Sequence, residues 1–290
     1  MLKKRKIVIS GAGGKIGQAL IAKILHDTDW EIIVFSSSIL SDSNYDPRLI
    51  IYHNNDILKI LSSLKDVDTC VHLAFSRRFS SNADIALSLD FSLNFYKAVR
   101  LSGSRLINIS TVGIYGQRSD FPDESYIPSP ESLYAMAKYA SEVLMESVFE
   151  EYKKDVTNVR LSGIAQSQRI LPVFIERAKH NFPIEIKGGN QEFSWIDMSD
   201  AIEAIMALIR FDGKWEKIYN VSLNKKRYSI LKLAEMVAVA AETKGLIRTP
   251  IHVIQTEEKP ICVGWNSERF IDDTGWYPKK DITETIENMF

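Results

Sequence analysis

Six short apolar runs recur within residues 6–162, and stretches with helical periodicity separate them. In chain order the runs are KIVIS, EIIVFS, LIIYHN, TCVHLAF, RLINIS and TNVRLS. Each is nearly continuous in apolar character, which is typical of strands buried on both faces of a parallel sheet. Strands that alternate with helices and are joined by right-handed crossovers give an open sheet with helices on both sides. The sequence therefore predicts an α/β fold with a doubly wound parallel sheet.

The alternation of strands and helices loosens from about residue 163. Pro172 and Pro183 interrupt the pattern, and KGGN predicts a turn. We therefore predict a first domain at 1–162 and a smaller C-terminal lobe at 163–290 that mainly binds the substrate, with a segment near 191–222 returning to the sheet.

The glycine-rich stretch ISGAGGKIGQAL (9–20) lies where the first strand passes into a helix. The common pattern G-x-G-x-x-G fails, because Ile16 stands where its last small residue belongs. The spacing Gly11-x-x-Gly14-x-x-Gly17 fits a tight turn, a close backbone approach to a phosphate and close helix packing. Alone, this spacing fits both a phosphate-binding loop and a structural turn.

Composition narrows the class of protein. The 290 residues are 45% hydrophobic, enough for a large core, and the net charge of -1 argues against nucleic acid as the main partner. The basic start MLKKRK runs directly into the first strand, and no apolar segment reaches the roughly 18 residues of a membrane helix. We therefore expect no membrane partner and a cytoplasmic location.

The metal-binding residue types show no ligand spacing. The two cysteines, Cys70 and Cys262, are far apart in the sequence and are expected to be buried thiols in a reducing compartment. His72 is expected to be a strand residue rather than a ligand. The sequence therefore predicts no metal site.

The stretch SPESLYAMAKYASEVL predicts a helix with Ser129 as N-cap and Pro130 at its first position. Tyr134 and Lys138 are then one turn apart on one face. A tyrosine hydroxyl has a pKa of about 10, and a neighbouring ammonium favours the phenolate and lowers that pKa. The simple alternative is a surface pair on an ordinary amphipathic helix.

The order of these features resembles one family. A glycine loop, a strand that ends in Ser110-Thr111, and the Tyr/Lys helix are similar to the extended short-chain dehydrogenase/reductase family, in its NAD-dependent epimerase/dehydratase branch of nucleotide-sugar type. The segments NNDI, CVHLAF, INISTVGIYG, FSWIDMSDAIEAI and IYNVS also resemble motifs of that branch. The resemblance extends over nearly the whole chain and implies a Rossmann-type fold.

The resemblance assigns roles residue by residue. Tyr134 would exchange a proton with a sugar hydroxyl or ketone, Lys138 would lower its pKa and hold the nicotinamide ribose, and Thr111 would hydrogen-bond the reacting oxygen. The remaining cofactor contacts would be Gly11, Gly14, Lys15, Ile16 and Gly17 at the pyrophosphate, Asp56 and Ile57 at adenine, and Leu73, Ala74 and Phe75 along the channel.

Several residues depart from the family pattern. Ser36 stands where NAD-preferring members carry an acid at the end of the second strand, which favours NADP over NAD as the cofactor. Glu192 falls where many members have an arginine for the substrate diphosphate, and a carboxylate there would repel phosphate. Arg77, Arg78 and Arg169 are candidates to replace the missing arginine. The simple alternative is that they are solvated surface charges.

Three functions follow as alternatives. The first is an NAD(P)-dependent 4-epimerase or 4-ketoreductase acting on a nucleotide-activated sugar; a dehydratase is disfavoured because Val112 and Gly113 stand where dehydratases have two acids. The second keeps the chemistry with a non-sugar alcohol or ketone. The third is a non-catalytic dinucleotide sensor, although such relatives usually lose the Tyr/Lys pair.

A homodimer through helices near 83–102 and 130–152 is also expected, with Ala140, Val143, Leu144, Ser147 and Val148 as its seam.

Overall fold

A computed structural model describes residues 4–36, 46–53, 61, 66–76, 82–118, 120–152, 154–167 and 170–290. The chain divides into two compact units. The first consists of Met1–Ile114, Pro130–Arg160 and Leu208–Tyr219, and the second of Tyr115–Ser129, Leu161–Ala207 and Asn220–Phe290. The chain therefore leaves the first unit and returns to it twice.

The central sheet has seven strands in the order β11-β6-β5-β4-β1-β2-β3. Their bounds are β1 Lys6–Ser10, β2 Glu31–Ser36, β3 Leu49–His53, β4 Thr69–His72, β5 Arg105–Thr111, β6 Val156–Leu161 and β11 Ile218–Val221. β1 pairs in parallel with β2 and with β4, β2 with β3, and β4 with β5. Six of these strands are the six apolar runs, so the predicted doubly wound parallel sheet is confirmed.

The helices of the first unit cover this sheet. They are α1 Lys15–Asp27, α2 Asn82–Ser102 and α3 Leu133–Phe149. Between the sheet and the helices α2 and α3 lies a dry core in which Val8 and Leu106 of the strands pack with Phe95, Val99 and Met145 of the helices. Burial of aliphatic and aromatic side chains on the scale of ~25 cal/mol per Å² is the main stabilisation of such a core.

The start of α3 differs from the prediction. The helix begins at Leu133, and Ser132 rather than Ser129 is its N-cap: the Ser132 hydroxyl accepts a hydrogen bond from the Ala135 amide at 3.2 Å. The Ser129-Pro130 pair lies before the helix in non-helical backbone. A serine that satisfies a first-turn amide defines the helix start more strongly than a proline upstream of it.

The second unit is built from short strand pairs and helices. Its strands are β7 Gly163–Ile164, β8 Ile184–Lys187, β9 Glu192–Phe193, β10 Trp195–Ile196, β12 Tyr228–Ser229 and β13 Ile251–Ile254, and its pairings are β7 with β10, β8 with β13 and β9 with β12. Its helices are α4 Ile170–Lys179, α5 Met198–Arg210, α6 Ile230–Thr243, α7 Glu268–Thr274 and α8 Ile282–Met289. Trp195 is buried in its core.

Three sequence expectations take a definite form in this unit. Pro172 does not end a helix but lies in the first turn of α4, where proline is tolerated. Gly188 and Gly189 have φ values of +78° and +98°, so the KGGN turn uses glycine where other residues are strained. Cys262 is only partly buried, contrary to expectation, and forms an isolated backbone β-bridge with Glu192. Cys70 is buried, and neither cysteine forms a disulfide.

Within the described ranges, no helix is both long and apolar enough to span a bilayer. The same residues contain no group of three or more His, Cys, Asp or Glu side chains arranged to hold a metal ion.

Candidate active site

The glycine loop between β1 and α1 needs glycine at two positions for steric reasons. Gly11 has φ +75°, and a Cβ there would lie 2.5 Å from the Ala74 amide nitrogen. A Cβ on Gly17 would lie 2.5 Å from the Gly11 carbonyl oxygen. The loop is thus packed against the chain that follows β4 and against its own helix, as the glycine spacing predicts.

Gly14 has a different role in the same loop. Its φ of -75° is open to any residue, and a Cβ added there would have the Gly11 oxygen as its nearest neighbour, 3.4 Å away. It is the N-cap of α1 and has no side chain to occupy the helix's first amides. Exposed Lys15 and half-buried Ile16 follow. Uncapped amides, a helix dipole and an open glycine suit an anionic group such as a pyrophosphate.

The end of β2 lies beside this loop. The Gly11 amide donates to the Phe35 carbonyl at 3.1 Å, and the next residue, Ser36, is buried at the end of the strand. A buried serine therefore stands at the strand end where a carboxylate would grip a ribose 2′-hydroxyl, and it adds no negative charge that would repel a 2′-phosphate.

A buried histidine joins β1, β4 and α2 next to the loop. The Ser92 hydroxyl donates to the Ser88 carbonyl at 2.8 Å, so its oxygen accepts from His72 Nε2 at 2.9 Å. The other ring nitrogen, Nδ1, must then accept, and the Ser10 hydroxyl donates to it at 2.7 Å. His72 is thus the neutral Nε2–H tautomer, and burial, with the nearby charge of Lys138, holds its pKa well below 6.5. It is a strand residue, as predicted, and its bond to Ser10 fixes the end of β1.

The Tyr134 and Lys138 side chains share a neighbour, the ring of Phe75. The Lys138 Nζ lies 4.3 Å from the centroid of that ring. The Tyr134 ring meets it edge-on, with centroids 6.2 Å apart. The structure therefore brings the predicted pair together with one of the predicted channel residues. Leu73 and Ala74, the other two, contact Gly11.

Lys138 is almost fully buried, with 3% of its surface exposed. Its ammonium donates to the Ile109 carbonyl of β5 at 2.7 Å. Burial lowers the pKa of Lys138 to about 7, and the negative charge of Glu142 opposes that effect. The surface-pair alternative is therefore wrong for this lysine.

Ser110 and Thr111 are the last two residues of β5, at the carboxyl end of the strand. A Cβ added to Gly113 would lie 3.4 Å from the Thr111 Oγ1 and 3.8 Å from the Ala135 Cβ, so Thr111 is close to the first turn of α3. The Thr111 Oγ1 accepts from the Gly113 amide at 3.2 Å. The buried Ser110 hydroxyl has no hydrogen-bond partner in the described part of the chain.

Not every predicted site residue can be placed. Asp56 and Ile57, expected at adenine, lie outside the described residues, as do Arg77, Arg78 and Arg169.

Glu192, expected to repel phosphate, forms an ion pair with Arg227, whose Nε lies 2.6 Å from the Glu192 Oε2. The Arg227 guanidinium also stacks on the Phe121 ring, 4.8 Å from its centroid. The negative charge of Glu192 is therefore compensated within the second unit. Sequence reasoning missed Arg227, because no spacing in the sequence connects it to Glu192.

Known proteins resemble this chain over nearly its whole length. The model of the NAD dependent epimerase/dehydratase family matches residues 7–222. A dTDP-D-glucose 4,6-dehydratase of Bos taurus is 25% identical over 98% of this chain and 88% of its own. A UDP-glucuronic acid 4-epimerase of Bacillus cereus in complex with NAD superposes with a TM-score of 0.81 at 19% identity over 97% of this chain and 96% of its own. RMD of Pseudomonas aeruginosa, complexed with NADPH, gives a TM-score of 0.75 at 21% identity over 99% and 97%.

The chain belongs to the NAD dependent epimerase/dehydratase family. It is accordingly an enzyme that depends on a nicotinamide dinucleotide. The residues described above fit that coenzyme: a glycine loop that leads into a helix without a side-chain cap, and a buried lysine that shares the Phe75 ring with Tyr134.

Proposed function

We propose that this protein is an NAD(P)-dependent 4-epimerase or 4-ketoreductase of a nucleotide-activated sugar. The observation that carries the proposal is the grouping of Tyr134, Lys138 and Phe75, with the glycine loop packed against the residues just before Phe75. A phenol beside a buried ammonium is suited to move a proton near neutral pH.

Tyr134, Lys138 and Thr111 have distinct tasks in the proposed reaction. Tyr134 takes the proton from a sugar hydroxyl during oxidation and returns it during reduction. Lys138 favours the phenolate form of Tyr134 by its charge and holds a ribose hydroxyl. Thr111 donates a hydrogen bond to the reacting oxygen. The bound coenzyme supplies a position that accepts and returns hydride.

One feature favours epimerisation or ketone reduction over dehydration. Elimination needs a second acid and base beside the proton-transferring tyrosine. Val112 and Gly113 follow Thr111 here, and neither has a titratable side chain. The likeness to a 4,6-dehydratase at 25% identity therefore supports the coenzyme chemistry rather than that particular reaction.

In the second unit, Arg227 is a candidate for binding a phosphate group. Its side chain is 22% exposed and is oriented by both Glu192 and the Phe121 ring. A planar guanidinium held in place is well suited to bind phosphate oxygens.

We further propose NADP as the preferred cofactor, because Ser36 leaves room without negative charge for a 2′-phosphate.

A homodimer through α2 and α3 is also proposed. Both helices present large apolar side chains to solvent, with Leu87 at 68% and Val143 at 48% exposure. Other members of the predicted seam, Ala140, Leu144 and Val148, are half-buried. Sedimentation of the wild type as a dimer and of Leu87→Glu/Val143→Glu as a folded monomer would support this interface. A monomeric wild type would contradict it.

The enzyme assay uses UDP- and dTDP-linked hexoses with NADP(H) and NAD(H). It follows both the absorbance of the reduced coenzyme and the interconversion of the sugars. Turnover of at least one sugar is expected. Tyr134→Phe should lose turnover by about 10²–10⁴-fold, while its coenzyme affinity stays unchanged. Turnover of simple ketones but of no nucleotide sugar would favour the non-sugar alternative. Coenzyme binding without any turnover would favour the sensor.

A further inference from the structure

A buried ion pair lies one helical turn beyond Lys138. Arg160 of β6 donates to both carboxylate oxygens of Glu142 on α3, from Nε to Oε1 at 3.2 Å and from Nη2 to Oε2 at 2.8 Å. Both side chains are only 2% exposed. Two charges out of water are costly to bury, and such a pair needs close, two-point geometry to be tolerated.

Glu142 is also placed to act on Lys138. The two residues are i and i+4 on α3, and both are buried on the face that packs against the sheet. The first neighbour of the ammonium on β5 is the Ile109 carbonyl, a dipole rather than a charge. On the loop after β4 the neighbour is the Phe75 ring, and on β4 it is the neutral His72.

The charges around Lys138 therefore come from few groups in the described part of the chain. Tyr134 on its own helix is uncharged until it loses its proton. Arg160 carries the same sign as Lys138, and its charge is directed at Glu142. The Glu142 carboxylate is the remaining group of opposite sign.

We infer that Glu142, held by Arg160, is the buried counter-ion that keeps Lys138 in its ammonium form before coenzyme binds. Glu142 and Arg160 are then positioning residues, since they act on the reaction only through Lys138. This inference rests on the proposed roles of Tyr134 and Lys138. It also explains why an arginine occurs within the otherwise apolar end of β6.

The consequence for the reaction concerns proton transfer. An ammonium at Lys138 favours the phenolate of Tyr134, whereas a neutral amine does not. Loss of the Glu142 charge makes the ammonium harder to maintain in a dry environment, because burial already lowers the pKa of Lys138 to about 7. The enzyme should then need a lower pH to keep Lys138 charged.

The test follows the ionisation of Lys138 directly, in the coenzyme-free protein. Lysine labelled with ¹³C at Cε is incorporated, and the Lys138 signal is assigned by its loss in Lys138→Met. In Glu142→Gln, which preserves size and still accepts from Arg160, the midpoint of the Lys138 titration should fall by about one pH unit. Surface lysines in the same spectra are the internal reference.

Two further variants complete the design. Glu146→Gln removes an exposed carboxylate one turn further along α3, and it should leave the Lys138 midpoint unchanged. The double variant Glu142→Gln/Arg160→Gln leaves no unpaired buried charge, so it is the better folded of the two Glu142 variants. It should lower the midpoint in the same direction, by less than the single variant does.

An unchanged Lys138 midpoint in a folded Glu142 variant would overturn the inference. So would an equal shift in Glu146→Gln, since the effect would then be a general one of surface charge. Because the measurement needs neither coenzyme nor turnover, its outcome is separate from that of the sugar assay. A shifted midpoint with no turnover of any sugar would reject the proposed function and leave the role of Glu142 intact.

Discussion

The Lys138 Nζ lies 4.3 Å from the centroid of the Phe75 ring, and the same ring meets Tyr134 edge-on. The phenyl group thus covers the ammonium on one side, while the Ile109 carbonyl accepts from it at 2.7 Å. Removal from water, with one donated hydrogen bond to the Ile109 carbonyl, leaves the ammonium poorly solvated, and its protonation state becomes sensitive to pH near neutrality.

Lys138 should leave a signature in stability as a function of pH. Burial lowers its pKa from 10.5 to about 7 in the folded protein. Between those values the unfolded chain binds a proton that the folded chain does not, so the free energy of unfolding gains from Lys138 as pH rises through this window. Urea unfolding at several pH values should therefore show a smaller rise between pH 7 and pH 10 for Lys138→Met than for the wild type. Parallel profiles for the two proteins would contradict a buried, pKa-shifted lysine.

His72 should affect the free energy of unfolding at acid pH. Burial, with the nearby charge of Lys138, holds its pKa well below 6.5, so below that pH the unfolded imidazole takes up a proton that the folded one cannot. Its contribution to the free energy of unfolding is complete above pH 6.5 and is lost as pH falls. The wild type should lose stability on acidification more steeply than His72→Asn, measured by urea unfolding from pH 7 to pH 5. Identical slopes, or an NMR signal for a charged His72 at pH 6, would exclude the neutral tautomer.

Gly11 and Gly103 both have positive φ, so together they allow the cost of backbone strain to be separated from the cost of a steric clash. Gly11→Ala combines a φ of +75° with a Cβ 2.5 Å from the Ala74 nitrogen, whereas Gly103 has a φ of +72° and nothing within 4 Å of the position that a Cβ would take. Gly103→Ala should therefore cost about 1 kcal/mol through backbone strain alone, and Gly11→Ala should cost clearly more. Equal losses in the free energy of unfolding would mean that the close approach to Ala74 is unimportant.

Gly14→Ala should affect coenzyme affinity more than stability. Its backbone is ordinary, and the nearest atom to a Cβ is 3.4 Å away. An added methyl group would occupy the approach to the first amides of α1 and should weaken coenzyme binding by about tenfold or more, roughly 1.4 kcal/mol. Fluorescence titration with the reduced coenzyme measures this, together with a urea midpoint near that of the wild type. Unchanged affinity would remove the loop from the proposed phosphate site.

Ser36 is the position that tests cofactor choice. The wild type should bind NADPH at least as tightly as NADH. Ser36→Asp adds a carboxylate at the end of β2, which repels a 2′-phosphate and accepts from a 2′-hydroxyl, so the preference should move towards NADH by about tenfold or more. Ser36→Ala is the control for loss of the hydroxyl. Tighter binding of NADH than of NADPH by the wild type would reject the proposed preference.

The fold and part of the site could be predicted from sequence for different reasons. The strands of a doubly wound sheet are apolar on both faces. KIVIS and the five apolar runs that follow it therefore indicate both that these segments are strands and that helices cover both faces of the sheet. The steric need for Gly11 and Gly17 follows from their spacing, and the Tyr134/Lys138 pair from helical periodicity. These features depend on residues close together in the chain.

Features that depend on distant residues could not be predicted. Ser10, His72 and Ser92 form one hydrogen-bonded series, yet each is an ordinary residue in its own segment. Arg227 compensates Glu192 across 35 residues, which no local pattern indicates. The buried pair of Glu142 and Arg160 left one signal, a charged residue in an apolar strand, but its partner could be found only in three dimensions. The start of α3 was misplaced because two serines satisfy the same capping pattern.

The most direct test of the proposed site is a crystal structure of the protein with bound NADP or NAD. We predict that the coenzyme's pyrophosphate lies against Gly14 and the start of α1, and that the reactive carbon of its nicotinamide ring faces the Tyr134 hydroxyl, with Lys138 in contact with the adjoining ribose. A nicotinamide ring bound away from Tyr134, or a protein that takes up neither coenzyme, would contradict this prediction.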